Sequence, residues 1–227
     1  MPRHTGYTPG TPCWIDHVGV DPTGAKEFYG AVLGWEFHRE DTRGYHLIRS
    51  GGEIVGGLGP SPAGPRFGSS WTVYLAAPDL DATLACACDA GARTLLPAVP
   101  AGGNGRLALA ADPLGAPFGL WEGARPEGVV LVDEPGALCG CVLRTPRPAE
   151  STTFYRGLFG TGNAAVESVM AGGPARWVPR LGAADPADVQ RRFLAAGAHL
   201  VEPGVLADPW GAVFALTGAR HPAATPA

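Results

Sequence analysis

A chain of 227 residues can build one large domain or two small ones, each with a modest core. Its formal charge of −4 offers no basic field for phosphate backbones, so a nucleic-acid partner is not expected. No apolar run approaches the ~20 residues of a membrane span, and the opening MPRHTGYTPGTP lacks the apolar centre of a signal peptide; a cytoplasmic protein without a membrane partner is expected.

The N-terminal residues 1–11 read as a loose arm. Cys13–Val20 is a strand candidate. Asp21-Pro22 then reads as a helix start, with Gly34 as its stop and Ala25, Phe28, Tyr29, Val32 and Leu33 on one face. Three short strands follow at 35–39, 45–49 and 53–58. The pattern restarts with a strand at 70–76 and a helix from Asp79 to Gly91. Strands are then expected around Leu95-Leu96, at 106–110 and at 117–121. Residues 122–136, rich in charge and proline, read as a linker.

Both units then recur. A strand at 138–143 precedes a helix at 148–159 that carries Phe154-Tyr155 where the first helix carries Phe28-Tyr29. Trp177–Leu181 matches Trp71–Leu75, and a helix opening at Asp185 ends in Ala195–Ala198 as its counterpart ends in Asp89–Ala92. The clearest repeat is DPLGAPFGLW at 112–121 against DPWGAVFAL at 208–216, an Asp-Pro-Gly turn feeding a half-buried strand. The tail 221–227 is expected to be disordered. The expected fold is therefore α+β, with four tandem βαβββ units in two pairs, residues 12–123 and a shortened 137–219, joined by a linker at 124–136. Each pair curls its strands into a cup with the helices outside, and the inside of a cup is the natural ligand site. Such halves already form an internal pseudo-dimer, so either a monomer or a homodimer is compatible.

The residues Phe28-Tyr29, Leu33-Gly34-Trp35, Trp71–Leu75, Asp79-Leu80-Asp81, Ala90-Gly91-Ala92 and the first Asp-Pro turn resemble the vicinal oxygen chelate superfamily, the glyoxalase, bleomycin-resistance and extradiol dioxygenase group. The resemblance spans roughly 12–218 and is nearest to a two-domain actinobacterial glyoxalase-like branch. It implies isomerase, dioxygenase or binding functions alike.

In that superfamily's enzymes the metal ligands come from the first and last strands of each unit. Carried over, these positions are Trp14, Thr72, Gly140 and Val178 on the first strands, with Gly119, Ala215 and Gly56 or Gly57 on the last; the third unit's last strand cannot be placed. None is a competent ligand for a divalent ion, and no metal or other cofactor is expected. The pairs Cys86-Ala-Cys88 and Cys139-Gly-Cys141 miss structural-zinc spacing and read as small buried hydrophobes.

Strand parity turns Trp14, Asp16, Val18, Thr72, Tyr74, Pro117, Gly119 and Trp121 into the first cup, a lining suited to stacking on a flat apolar molecule. Gly119 and Gly56 or Gly57 leave space there. Asp16 and Tyr74 are candidate acid–base groups, with Tyr45 or His46 able to join them. His17 has the opposite parity and reads as a buried, hydrogen-bonded histidine, a catalytic base if the register slips, or a metal ligand. Arg144 and Arg180 face the second cup, as anion anchors or as solvated rim residues, and Arg106 is equally open. Two functions compete: a metal-independent protein that binds and sequesters a small aromatic or polyketide-like metabolite, and a metal-independent isomerase, cyclase or lyase acting on one. A metal-dependent glyoxalase or dioxygenase is a third.

Overall fold

A computed structural model describes residues 6–60, 68–124, 127–160 and 167–219. The first unit is β1 (Pro12–Gly19), α1 (Pro22–Leu33), β2 (Glu36–Arg39), β3 (His46–Ser50) and β4 (Glu53–Pro60). The second is β5 (Ser70–Ala76), α2 (Leu80–Asp89), β6 (Arg93–Pro100), β7 (Gly105–Ala111) and β8 (Pro117–Gly123). The third keeps β9 (Leu138–Thr145), α3 (Pro148–Phe159) and β10 (Glu167–Met170). The fourth is β11 (Arg176–Ala183), α4 (Pro186–Ala195), β12 (His199–Glu202), β13 (Val205–Ala207) and β14 (Val213–Gly218).

Capping chemistry starts and stops the helices. The Asp21 carboxylate accepts from Gly24 N, Pro22 occupies the first turn, and Gly34 closes α1 in the left-handed region at φ 70°. Asp79 and Asp185 cap α2 and α4 in the same way, whereas α3 begins at Arg147 with no side-chain cap.

The strands form two sheets, ordered β2-β3-β4-β1-β5-β8-β7-β6 and β10-β9-β11-β14-β13-β12. In both, two units join through antiparallel first strands, β1 on β5 and β9 on β11. β4 lies parallel beside β1, and β10 lies parallel beside β9. Thus β10 is the third unit's counterpart of β4, and among the described residues that unit has no counterparts of β2 and β3.

The helices do lie outside each cup, and each buries one face while the other stays exposed, as on α2, where only Leu80 and Ala87 are buried, and α4, where only Phe193 is. The convex backs of the sheets face one another, with β5 against β11 and β1 against β9, and the helix pairs α1/α4 and α2/α3 fill the flanks. One aromatic core runs through this layer: Phe28 meets Phe193 at 5.3 Å, Phe193 meets Phe214 at 4.9 Å, and Phe118 meets Tyr155 at 5.5 Å. Within this segment of the expected linker, Val129 and Leu131 are buried in the same core, and Val130 N donates to Ile54 O. The arm is not loose over its described part. Gly10 N donates to Ala76 O, and the Tyr7 hydroxyl donates to Val129 O at 2.8 Å. Residues 1–5 and the tail lie outside the described residues.

The repeated Asp-Pro turns cross-brace the two halves. Asp208 Oδ1 accepts from Trp210 N and Ala212 N, closing its own turn, while Oδ2 accepts from the Tyr29 hydroxyl of the other half at 3.1 Å. Trp71 Nε1 donates to that Tyr29 oxygen. The twin is complete: Asp112 Oδ1 accepts from Leu114 N and Ala116 N, Oδ2 accepts from Tyr155, and Trp177 Nε1 donates to Tyr155. A buried carboxylate with four or so donors is satisfied, and one tyrosine from each half holds the turn of the other.

Candidate functional site

The registers define the first cup. Asp16 stands opposite Thr72, and Trp14 opposite Tyr74, across β1 and β5. Gly57 lies beside Asp16 on β4, and Gly119 beside Tyr74 on β8. Asp16 is buried. Its Oδ1 accepts from the Tyr45 hydroxyl at 2.7 Å and from Trp14 Nε1 at 2.8 Å, and the nearby Tyr74 phenol helps to stabilise its charge. Burial pushes the Asp16 carboxyl above the usual carboxylate range, and Tyr45, Trp14 and Tyr74 pull back against it. Burial, together with the Asp16 charge, raises the Tyr45 and Tyr74 phenols far enough that both remain proton donors.

The walls are aromatic. The Trp14 and Trp121 indoles stack with centroids 6.0 Å apart and planes 23° from parallel. Tyr74 and Trp121 are buried, whereas Trp14, Val18, Tyr45 and Thr72 remain partly exposed and form the reachable lining. Leu107, Leu109 and Tyr7 pack around this cluster.

The structure brings together Trp14, Asp16, Val18, Tyr45, Thr72, Tyr74, Gly119 and Trp121, corrects the expectation of space at the glycines, and leaves His17, Arg106 and His46 outside the cup. Gly119 leaves no space: a Cβ there would collide with the Tyr74 ring, and one at Gly57 would collide with the Tyr45 oxygen and the Asp16 carboxylate. The missing side chains make room for these two phenols. His17 does not enter the cup. It is fully buried on the convex side, where its Nε2 lies 2.8 Å from Asp208 Oδ2 and its ring meets Trp71 and Tyr29 edge-on. Its Nδ1 has no hydrogen-bond partner among the described residues. Arg106 also faces away, bonded to Asp81 at the start of α2 and to Glu122. His46 sits on the convex side too, its Nδ1 near Gly44 O and its Nε2 near Lys26.

The superfamily's metal chemistry can be tested against these residues. The first cup supplies one carboxylate, already taking two donors, and the glycines that flank it are overlain by phenols. Among the described residues no three His, Cys, Asp or Glu side chains gather where an ion could sit. This set does not fit a divalent cation, which wants several oxygen or imidazole donors around an open point. The cysteine pairs do not gather either: Cys86 and Cys88 are exposed on α2, and Cys141 is buried on β9.

The second cup follows from the same registers. His17 faces Trp71 in the first half as Leu143 faces Trp177 in the second. Counting outward, Asp16 corresponds to Val142, Val18 to Arg144, Ser70 to Arg176, Thr72 to Val178, and Tyr74 to Arg180. Gly57 corresponds to Glu167 and Gly119 to Ala215. The floor is Val142, Val178, Val205 and Ala215. Arg144 pairs with Glu202, and Arg180 with Glu167 at 2.6 Å, so both arginines face the cup as parity required and both have carboxylate partners. Sequence reading missed Glu167 and Glu202. Each sits on a four-residue edge strand, too short for a periodic signal.

No protein-family model matches the chain. The candidate glyoxylase CFP32 of Mycobacterium tuberculosis is 30% identical over 254 aligned positions, covering 95% of this chain and 97% of that protein; its Mycobacterium bovis counterpart matches equally. The anthracycline biosynthesis protein DnrV of Streptomyces peucetius is 28% identical over 172 positions, covering 69% of this chain and 62% of that protein. Among solved structures, a Mn(II)-bound glyoxalase from Novosphingobium aromaticivorans superposes with a TM-score of 0.66 at 18% identity, over 93% of this chain and 83% of that one. A point variant of homoprotocatechuate 2,3-dioxygenase from Brevibacterium fuscum superposes with a TM-score of 0.62 at 16% identity, over 95% of this chain and 73% of that one. The paired βαβ-type units, the curled sheets and a relative of matching length agree, and the chain belongs to the glyoxalase-like group of the vicinal oxygen chelate superfamily.

Proposed function

We propose that the first cup binds a small aromatic or polyketide-like metabolite without a metal ion, and that the protein acts by holding it. The observation that carries this reading is the Asp16 cage: a buried carboxylate tied by Tyr45 and Trp14 beside Tyr74, set against the Trp14–Trp121 stack. Indole and phenol faces take flat rings, at ~0.5–1.5 kcal/mol per pair beyond area burial. The carboxylate offers one acceptor to a phenolic or enolic hydroxyl. The match to an anthracycline biosynthesis protein supports a polycyclic aromatic ligand. Tryptophan fluorescence titrated with a hydroxyanthraquinone tests this: saturable quenching in the micromolar range, weakened at least about tenfold in Trp14→Ala, is expected. Absence of quenching would sink the reading.

A second reading rests on the raised Asp16 pKa. A carboxyl poised above its ordinary range can exchange a proton with a bound substrate nearer neutrality, which suits a metal-independent isomerase, cyclase or lyase. In that case Asp16→Asn abolishes turnover and leaves binding intact, and an unchanged rate removes Asp16 from the chemistry.

A further inference from the structure

The second cup has the opposite chemistry to the first. Its concave face carries three arginines, Arg144, Arg176 and Arg180, where the first cup has Val18, Ser70 and Tyr74. Two carboxylates answer them, Glu202 from edge strand β12 and Glu167 from edge strand β10. On the concave face three guanidiniums meet two carboxylates above an apolar floor, and the excess positive charge lies on the Arg144–Arg176 side, away from the Asp133 carboxylate beside Arg180. Arg176 stands directly across the ladder from Arg144, an arrangement of like charges that destabilises a sheet, and it makes no hydrogen bond or ion pair with the described residues.

Beside Arg180 and Glu167 lies a groove of about 290 Å³, also lined by Tyr7, Asp133 and Gly140. Gly140 holds the position that Trp14 holds in the first unit, and nothing lies within 4 Å of where its Cβ would be. The place filled by an indole in one cup is therefore open in the other. The volume is at the low end for a ligand pocket, which suits a molecule of one ring or a short chain. A guanidinium fork matches a carboxylate in two parallel bonds. Glu167 and Asp133 on the groove wall repel a second negative charge, which selects against phosphate dianions and polyanions.

We propose that the second cup is a separate binding site for a small monocarboxylate, anchored by Arg180 and Arg176, with its apolar body in the groove at Gly140. Binding exchanges the Arg180–Glu167 pair for an Arg180–ligand pair and brings a carboxylate to Arg176, which has no partner among the described residues. Sodium benzoate is the probe, followed by amide shifts of the ¹⁵N-labelled full chain, with benzylamine as the charge-reversed control. Saturable shifts at Gly140 and Val178 are expected with benzoate and not with benzylamine. Affinity falls at least about tenfold in Arg180→Gln, falls less in Arg180→Lys, and is unchanged in Trp14→Ala. Shifts confined to Gly57 and Gly119, no saturable shifts, or equal binding by Arg180→Gln and wild type each overturn the proposal, whatever the outcome at the first cup.

Discussion

At the centre of the first cup a carboxylate sits among phenols and indoles; at the matching point of the second, Val142 lies beneath arginines. The convex sides diverge far less, with His17 against Leu143 as the clearest difference. There the same three side chains recur, Trp71, Tyr29 and Asp208 in one brace and Trp177, Tyr155 and Asp112 in the other. The difference teaches where this repeat is constrained. Convex residues brace one half against the other, so a change in one half meets the other, while concave residues bond and stack within their own cup, as Asp16 does with Tyr45 and Arg180 with Glu167, and each cup can specialise by itself.

The largest effect is expected from breaking the brace. Asp208→Ala strands the Tyr29 hydroxyl, His17 Nε2 and two backbone N–H groups, and should cost about 3–5 kcal/mol in urea unfolding. Asp112→Ala strands one group fewer, because Leu143 stands where His17 does, and should cost about 1–2 kcal/mol less. Equal losses would show that His17 adds nothing to the first brace.

Next comes transplanting the second cup's centre into the first. Asp16→Val removes the acceptor shared by Tyr45 and Trp14, and should cost about 2–4 kcal/mol and abolish quenching by the anthraquinone. Gly119→Ala copies Ala215, yet it should cost about 1–3 kcal/mol, since the new methyl meets the Tyr74 ring where Ala215 meets no tyrosine. The penalty should shrink in a Tyr74→Ala background, and a double-mutant cycle reads that coupling directly.

A pH series sharpens the same contrast. The folded-state pKa of Asp16 is raised, chiefly by burial, so its stabilising protonated form prevails at low pH. Wild type should lose stability relative to Asp16→Asn as pH rises from the ordinary carboxylate range through the elevated value, by at most ~1.4 kcal/mol per pH unit. A flat difference between the two proteins contradicts a burial-raised carboxyl. The smallest effect is expected for His17→Leu, which copies Leu143. The lost bond to Asp208 is offset by removal of Nδ1, unpartnered among the described residues, and melting should shift by no more than about 1 kcal/mol.

Much of the frame was legible because it rests on local rules. Aspartate caps, glycine stops and 3.6-residue periodicity marked α1, α2 and α4, the repeated Phe-Tyr pair and Gly160 marked α3, and two-residue alternation placed Trp14, Asp16, Thr72 and Tyr74 on one face. What escaped depends on contacts distant in sequence. The Asp-Pro turn announces its own geometry, but nothing near residue 208 reveals that Tyr29 and His17 share its carboxylate. Glycine signals a missing side chain without saying what fills the gap, so Gly57 and Gly119 read as space when they are seats for Tyr45 and Tyr74. The short edge strands β10 and β12 carry too few residues for a period, which hid Glu167 and Glu202 until the registers were known.

The central claim is that the first cup holds an aromatic ligand through Asp16 and its cage rather than through a bound ion. Titration calorimetry of the hydroxyanthraquinone against chelator-treated protein, repeated with excess Mn²⁺, tests it most directly. Equal affinities, both lowered at least about tenfold by Trp14→Ala, are predicted. Binding that appears only when the ion is added contradicts the account.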